Sequence, residues 1–386
     1  MSPLRIVVML LVMSSLTYGT HYYLWARLVR DAALPAPYGT IATVALVLLA
    51  LSIPVTMIAF RMLPREAMKP LAWTAFLWMG TMFLLFVSTA GADLARKVIA
   101  TLAGDSLADP AKRLSLARAS AALAALVGAG LSLSGIVSAA QKTGVKPLRI
   151  VLPKLSARMS GYKIVQLTDV HIGPTLDRTF LERVVASVNA ESPDLVVITG
   201  DLVDGSVAQL GDHVRPLADL RARDGVYFVT GNHEYYSGAD DWLAYLRTLG
   251  VKPLRNERVR IGGDDGFDLA GVDDASAHQF GGDHGADYER ALGGRDDSRP
   301  VVLLAHQPRQ VTKAERYAPD LVLSGHTHGG QIAPIHFLVK LQQPYVAGLY
   351  QHGGTQVYVS RGTGYWGPPM RLAAPAEITK IELVRA

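Results

Sequence analysis

LVLSGHTHGGQ, residues 321–331, sets His326 and His328 one residue apart, behind an apolar run and ahead of two glycines. A short buried strand that ends in a tight turn has this form. Paired imidazoles at such a strand end are suited to holding a metal ion.

Four other apolar runs end in a similar way. QLTDVH delivers Asp169 and His171, ITGDLVDG delivers Asp201 and Asp204, VTGNHEYY delivers Asn232, His233 and Glu234, and LLAHQP delivers His306. In layered α/β folds, ligands bind where loops leave the carboxyl ends of strands. Five of the chain's 11 histidines lie in these turns. In Asp-x-His and His-x-His, residues i and i+2 of an extended chain project to the same side, so each pair is expected to reach one ion or a tight pair of ions. Gly200, Gly231 and Gly325 just before the ligands permit sharp turns and close backbone approach. With no cysteine in 386 residues, disulfides, thiolate metal sites and a cysteine nucleophile are excluded. The remaining oxygen and nitrogen donors suit Mn, Fe, Zn or Mg, and several carboxylates and imidazoles together point to two ions sharing a bridge.

Around these motifs strand and helix alternate. YKIVQLTD, DLVVITGD, GVYFVTGN, PVVLLAHQ, DLVLSGHT and TQVYVSRG read as strands, and DRTFLERVVASVNAES reads as a helix with Phe180, Leu181, Val184, Val185 and Val188 on its apolar face. The fold class is therefore α+β, or α/β with layered sheets. The polar, glycine-rich stretch 274–299 reads as a loop with one short helix near 286–292.

The front of the chain differs. Apolar runs at 4–26, 39–60, 70–92 and 115–140 are each long enough for a hydrocarbon core of about 30 Å. They predict a membrane domain of about four transmembrane helices over 1–140, a linker at 141–160 that includes a first edge strand, and a second domain over 161–386. Tyr18, Tyr22, Tyr23 and Trp25 resemble an interfacial aromatic belt. Gly128 with Ser132, and Gly130 with Ser134, have the four-residue spacing of close helix packing in lipid. The net charge of +5 is unevenly placed: 1–140 holds 11 Lys+Arg against 5 Asp+Glu, and the remainder 27 against 28. The basic excess thus flanks the apolar runs, and no nucleic-acid partner is expected. The expected setting is a bilayer, with a multi-pass protein in the cell (inner) membrane. Segments at the N-terminus, 61–69 and 142–158 hold 9 Lys+Arg and those at 27–38 and 93–118 hold 7, which favours a cytoplasmic second domain.

Asp-x-His, Gly-Asp-x-x-Asp, Gly-Asn-His-Glu, a lone histidine after a strand, and Gly-His-Thr-His occur in that order over roughly 160–386. In this the chain resembles the calcineurin-like metallophosphoesterases, and with its front end it is similar to their membrane-tethered bacterial and transmembrane branch. The resemblance implies a two-sheet β-sandwich flanked by helices. It implies that Asp169, His171 and His328 hold one divalent metal, that Asn232, His306 and His326 hold a second, and that Asp201 bridges them. It further implies that His233, oriented by Asp204, faces the substrate as general acid for the leaving oxygen or steadies the transition state, with a metal-activated water as nucleophile. The membrane domain, which sets the site near a bilayer, favours a phosphodiester or a lipid-linked pyrophosphate as substrate. Related readings are a pyrophosphatase of the UDP-diacylglucosamine type in lipid A synthesis, and a protein phosphatase or nuclease with the same core. From another class comes a non-catalytic membrane sensor that keeps the fold.

Several residues carry plainer readings. Glu234 is expected to cap the helix that follows it. Arg361, after the strand TQVYVS, is a candidate for binding a phosphate oxygen or for a surface ion pair. Asp273 and Asp274 read as a turn, His278 and His284 as solvated loop, and His352 as structural.

Overall fold

The computed structural model describes residues 3–59, 65–103 and 109–386, without the side chains of 3–10, 13, 65 and 103. It divides into two compact units, Met1–Ser138 with Gly367–Met370, and Ala139–Trp366 with Arg371–Ala386.

The first unit is helical: α1 (Pro3–Trp25), continued by a wider π-type turn at Ala26–Arg30, then α2 (Tyr38–Ala59), α3 (Arg65–Ala103) and α4 (Pro110–Ala140). Among the described residues three helices are long and apolar enough to cross a membrane, Tyr38–Ala59, Glu66–Leu102 and Pro110–Ala140. The fourth expected span, 4–26, falls on α1, part of whose side chains are not described. The end of the second run at Phe60 and the stretch 61–64 lie outside the described residues. The expected loop at 93–118 is corrected, because helix continues to Ala103 and resumes at Pro110. Ala, Leu, Lys and Arg have high helix propensity, so the charged residues at 93–97 and 112–118 do not end the helices. Of the two small-residue pairs, Gly128 and Ser132 are buried, and a Cβ on Gly128 would sit 2.7 Å from Leu85 Cδ2 of α3. Ser134, of the second pair, is exposed.

The second unit contains two six-stranded sheets. In chain order the strands are β1 (Gly144–Val151), β2 (Tyr162–Leu167), β3 (Leu195–Thr199), β4 (Val226–Val229), β5 (Val251–Pro253), β6 (Glu257–Ile261), β7 (Phe267–Gly271), β8 (Val301–Leu304), β9 (Leu321–Ser324), β10 (Gly348–His352), β11 (Thr355–Val359) and β12 (Glu377–Val384). One sheet runs β1-β12-β2-β3-β4-β5 and the other β10-β11-β9-β8-β7-β6. Strands β2 to β5 are mutually parallel, as are β7, β8, β9 and β11. Within the expected linker, 144–151 form the edge strand β1, which pairs in parallel with β12 over its whole length.

Burial explains the apolar runs. In β3, Leu195 and Val197 face the core between the sheets while Val196 and Ile198 face the outer helices. In β9, Leu321 and Leu323 face inward and Val322 outward. Strands covered on both faces read as continuous hydrophobic sequence, not as alternation. On the first sheet lie α5 (Arg178–Ala190), α6 (Val207–Val214) and α8 (Ala239–Thr248), contributing Leu181, Val184, Leu210, Trp242 and Leu246. A short helix, α7 (Asn232–Ser237), precedes α8. On the second sheet lie α9 (Tyr288–Leu292) and α10 (Val311–Ala314). The unit is thus a two-sheet sandwich flanked by helices, as expected. Asp177 starts α5 as its N-cap, accepting from the N–H groups of Thr179 and Phe180.

Candidate metal centre

Asp169 and His171 follow β2, Asp201 and Asp204 follow β3, Asn232 and His233 follow β4, His306 follows β8, and His326 and His328 follow β9. Within each sheet these strands are parallel and end on one side, and the residues that follow them in the two sheets come together. The side chains gather in two buried groups, Asp169–His171–His328 and Asp201–His306–His326. His171 Nε2 lies 3.1 Å from His328 Nε2, and His328 Nε2 lies 3.4 Å from Asp169 Oδ1. In the second group His306 Nε2 lies 3.0 Å from Asp201 Oδ2 and 3.2 Å from His326 Nδ1. The same Asp201 Oδ2 stands 3.9 Å from His171 Nε2, between the two groups.

The local reason for this convergence differs from the expected one. Asp169, His171, Asp201, His326 and His328 all have positive φ, between 50° and 69°. The paired ligands therefore do not project from extended backbone; left-handed residues fold the chain back within each turn. Thr327, between the two histidines, is right-handed helical. Left-handed backbone at non-glycine residues costs of order 1–3 kcal/mol each and is found where surrounding structure enforces it. Here the enforcement is visible: His326 N–H donates to both oxygens of Asp169 at 2.9 and 3.0 Å. Close packing adds to it, since a Cβ on Gly231 would collide with Asp201 Oδ1, and one on Gly325 with Thr168 and Asp169.

Partners fix the rings. His306 Nδ1–H donates to the Thr199 carbonyl at 2.8 Å, so Nε2 is the ring nitrogen turned to Asp201. Asp204 accepts from His171 Nδ1 at 3.1 Å and from His233 Nδ1 at 2.6 Å, so one carboxylate orients two imidazoles. Asp204, His171 and His233 could themselves hold a cation. Asp204 instead takes the Nδ1 atoms, and the His171 Nε2 faces His328.

Burial disfavours charge throughout, and neighbours decide the balance. Burial would raise Asp201 and Asp204, but the facing histidines hold both carboxyls well below the usual range. Burial raises Asp169 above its ordinary value. Burial would lower His306, yet Asp201 raises it well above its ordinary value. Burial and the neighbouring His306 push His326 down to about 3, and burial with His171 pushes His328 well down, so both present lone pairs. His233 is raised to about 9 because Asp201 and Asp204 outweigh its burial.

The donor set fits divalent cations. Asn232 Oδ1 is buried without a hydrogen-bond partner, which an amide oxygen tolerates when a cation supplies the missing contact. The proton held between Asp201 and His306 is of the kind a cation displaces. Arg361 is not brought into either group: its guanidinium is held by Glu377 Oε2 at 3.2 Å. Tyr358 also donates to Glu377, making that buried acid a fixed counter-charge.

Three residues carry more than their sequence announced. Glu234, expected as a cap, is fully buried and accepts from the N–H groups of Asp201, Leu202 and Gly231 at 3.0, 2.7 and 2.6 Å. Burial and the Asp201 charge push its carboxyl up to about 7, against the Gly231 and Leu202 donors. Arg371, 1% exposed, donates to the carbonyls of His328 and Arg361 at 3.0 and 2.7 Å and to that of Gly364, tying the His328 turn to the loop after β11. Gln331 clasps the Trp366 backbone, accepting from its N–H at 3.0 Å and donating to its carbonyl at 2.9 Å. Nothing local marks Arg371 or Gln331 in the sequence. The threefold role of Glu234 was visible only as a capping position.

Buried carboxylates and imidazoles on the strand ends of a layered sandwich define a metal-dependent hydrolase architecture. Residues 162–330 match the calcineurin-like phosphoesterase family model. A Bos taurus transmembrane protein with metallophosphoesterase domain is 44% identical over 313 residues, covering 77% of this chain and 69% of that protein. An uncharacterized metallophosphoesterase of Helicobacter pylori is 45% identical over 242 residues, covering 62% of this chain and 64% of that protein. One from Aquifex aeolicus is 37% identical over 223 residues, covering 57% and 84%. The chain belongs to the calcineurin-like metallophosphoesterases, a family of phosphoester hydrolases.

Proposed function

We propose that this protein is a multi-pass membrane phosphoesterase that uses two divalent cations to hydrolyse a phosphodiester or a lipid-linked pyrophosphate. The position of Asp201 Oδ2, 3.0 Å from His306 Nε2 and 3.9 Å from His171 Nε2, carries the reading, because one carboxylate oxygen reaches both donor groups. Asp169, His171 and His328 would hold one cation, Asn232, His306 and His326 the other, and Asp201 both. Such a pair supplies an acidified water and a positive field for the phosphate oxygens.

The chain's own residues do the rest. His233, protonated through its contacts with Asp204 and the Asp201 charge, holds a proton for the departing oxygen. Asp204 keeps that proton on the ring and fixes the ring's direction. The helices anchor the catalytic unit at a bilayer, which favours a lipid-borne ester, and the charge bias of the flanking segments favours the cytoplasmic face of the inner membrane.

Hydrolysis of bis-p-nitrophenyl phosphate by the detergent-solubilised full chain tests the reading. Activity should vanish on chelation and return with Mn or Zn. Activity that survives chelation, or survives both His233→Ala and Asp201→Asn, would refute it.

A further inference from the structure

Beside the metal turn lies a set of apolar side chains that the unit's own core does not cover. Phe337, Leu338 and Leu341 are 62%, 61% and 81% exposed within five residues, on and just after α11 (His336–Val339). This helix starts against the metal turn, since a Cβ on Gly330 would lie 2.6 Å from His336 Cβ. Gln331 of the same turn clasps Trp366, whose ring is half exposed and 5.5 Å from the His233 ring. Tyr236, also exposed, stacks edge-on to His233 at 5.4 Å. Leucine, phenylalanine and tryptophan, with Lys340 among them, have the composition of a segment that lies in the headgroup boundary of a membrane.

The chain itself supplies that partner. Three of its helices are long and apolar enough to span a bilayer. Helix α4 ends at Ala140 and β1 begins at Gly144, so three residues, with a reach of about 10 Å, separate them. We propose that Phe337, Leu338, Leu341 and Trp366 dip into the bilayer surface and seat the metal turn on it, so that the phosphoester is taken from the headgroup layer. The substrate half of this rests on the hydrolase reading above, whereas the membrane contact stands apart from it.

The cysteine-free chain makes the test direct. Single variants Phe337→Cys, Leu341→Cys and, as reference, Val151→Cys (44% exposed on β1) carry an environment-sensitive fluorophore in the full chain. The chain is reconstituted in phosphatidylcholine–phosphatidylglycerol vesicles. Emission at 337 and 341 should shift to the blue and be quenched by acyl-chain nitroxide lipids about threefold more strongly than at 151, as for a segment about 5–10 Å deep. Equal quenching at all three positions overturns the proposal. A blue shift without lipid quenching also overturns it, since that signals cover by protein. In a second arm, Phe337→Ser/Leu341→Ser should lower cleavage of vesicle-borne p-nitrophenyl phosphatidate, relative to soluble bis-p-nitrophenyl phosphate, about tenfold, the effect of losing about 1.4 kcal/mol of interfacial seating. An equal effect on both esters overturns the substrate half. Should wild type cleave neither ester, the hydrolase reading fails and with it the substrate half, while the quenching still decides the membrane contact.

Discussion

His233 is the residue whose chemistry depends most on its neighbours. Asp204 at 2.6 Å and the charge of Asp201 raise it to about 9, above its ordinary 6.5. Because the folded value is the higher, protonated His233 contributes stability fully present below about pH 6.5 and lost as pH rises through about 9. Thermal unfolding of chelated protein should therefore fall in midpoint across that window, and His233→Ala should flatten the fall. Cations at the centre would draw the value down. The alkaline limb of kcat should thus lie at or below pH 9, and be absent from the alanine variant. In that variant kcat should drop about 10²–10⁴-fold with metal content unchanged. Asp204→Asn differs, because Asp204 also orients His171. It should weaken metal binding about 10- to 100-fold, read by metal analysis after dialysis.

At the scale of elements, the turns after β3 and β4 are one structure, joined by the Glu234 carboxylate and its three backbone donors. Glu234→Gln turns an amide N–H toward a donor. It should cost about 2–3 kcal/mol and lower metal content together, as chemical unfolding and metal analysis would show. A role limited to capping α7 would leave the metal content intact. Strand β9 delivers His326 and His328, and Leu323 anchors it between the sheets. Leu323→Ala should cost about 2–5 kcal/mol by leaving a cavity in that layer, measured by the same unfolding. Strands β2, β3, β4, β8, β9 and β11 and their turns were legible because two-sided burial writes continuous apolar runs that stop at glycine and polar residues. Edge strands β6 and β10 were not read, because partial exposure mixes charged and apolar residues, as in Glu257–Ile261.

For the whole molecule, the helices and the sandwich carry opposite sequence signatures, and the charge follows them. If the flanking basic segments set orientation, a membrane-impermeant maleimide should label a cysteine at Val151 only from the cytoplasmic side, in inside-out vesicles and not in intact spheroplasts. Labelling in spheroplasts would reverse the orientation and place the substrate on the outer face.

The sequence by itself determined which carboxylates and imidazoles stand at the strand ends, and the apolar helices, since residue type and local periodicity encode burial and side-chain chemistry without reference to distant chain. Only the tertiary structure decided how the donors meet. The left-handed backbone at Asp169, His171, Asp201, His326 and His328 contradicts the extended geometry their spacing suggests. Arg361 goes to Glu377, and Arg371, from a proline-rich stretch, ties down the His328 turn. Strand β12 pairs with β1 from 233 positions away, Glu377 opposite Gly144. These arrangements rest on contacts between distant segments, whose free energy depends on packing and charge in the assembled fold, and no local pattern records that.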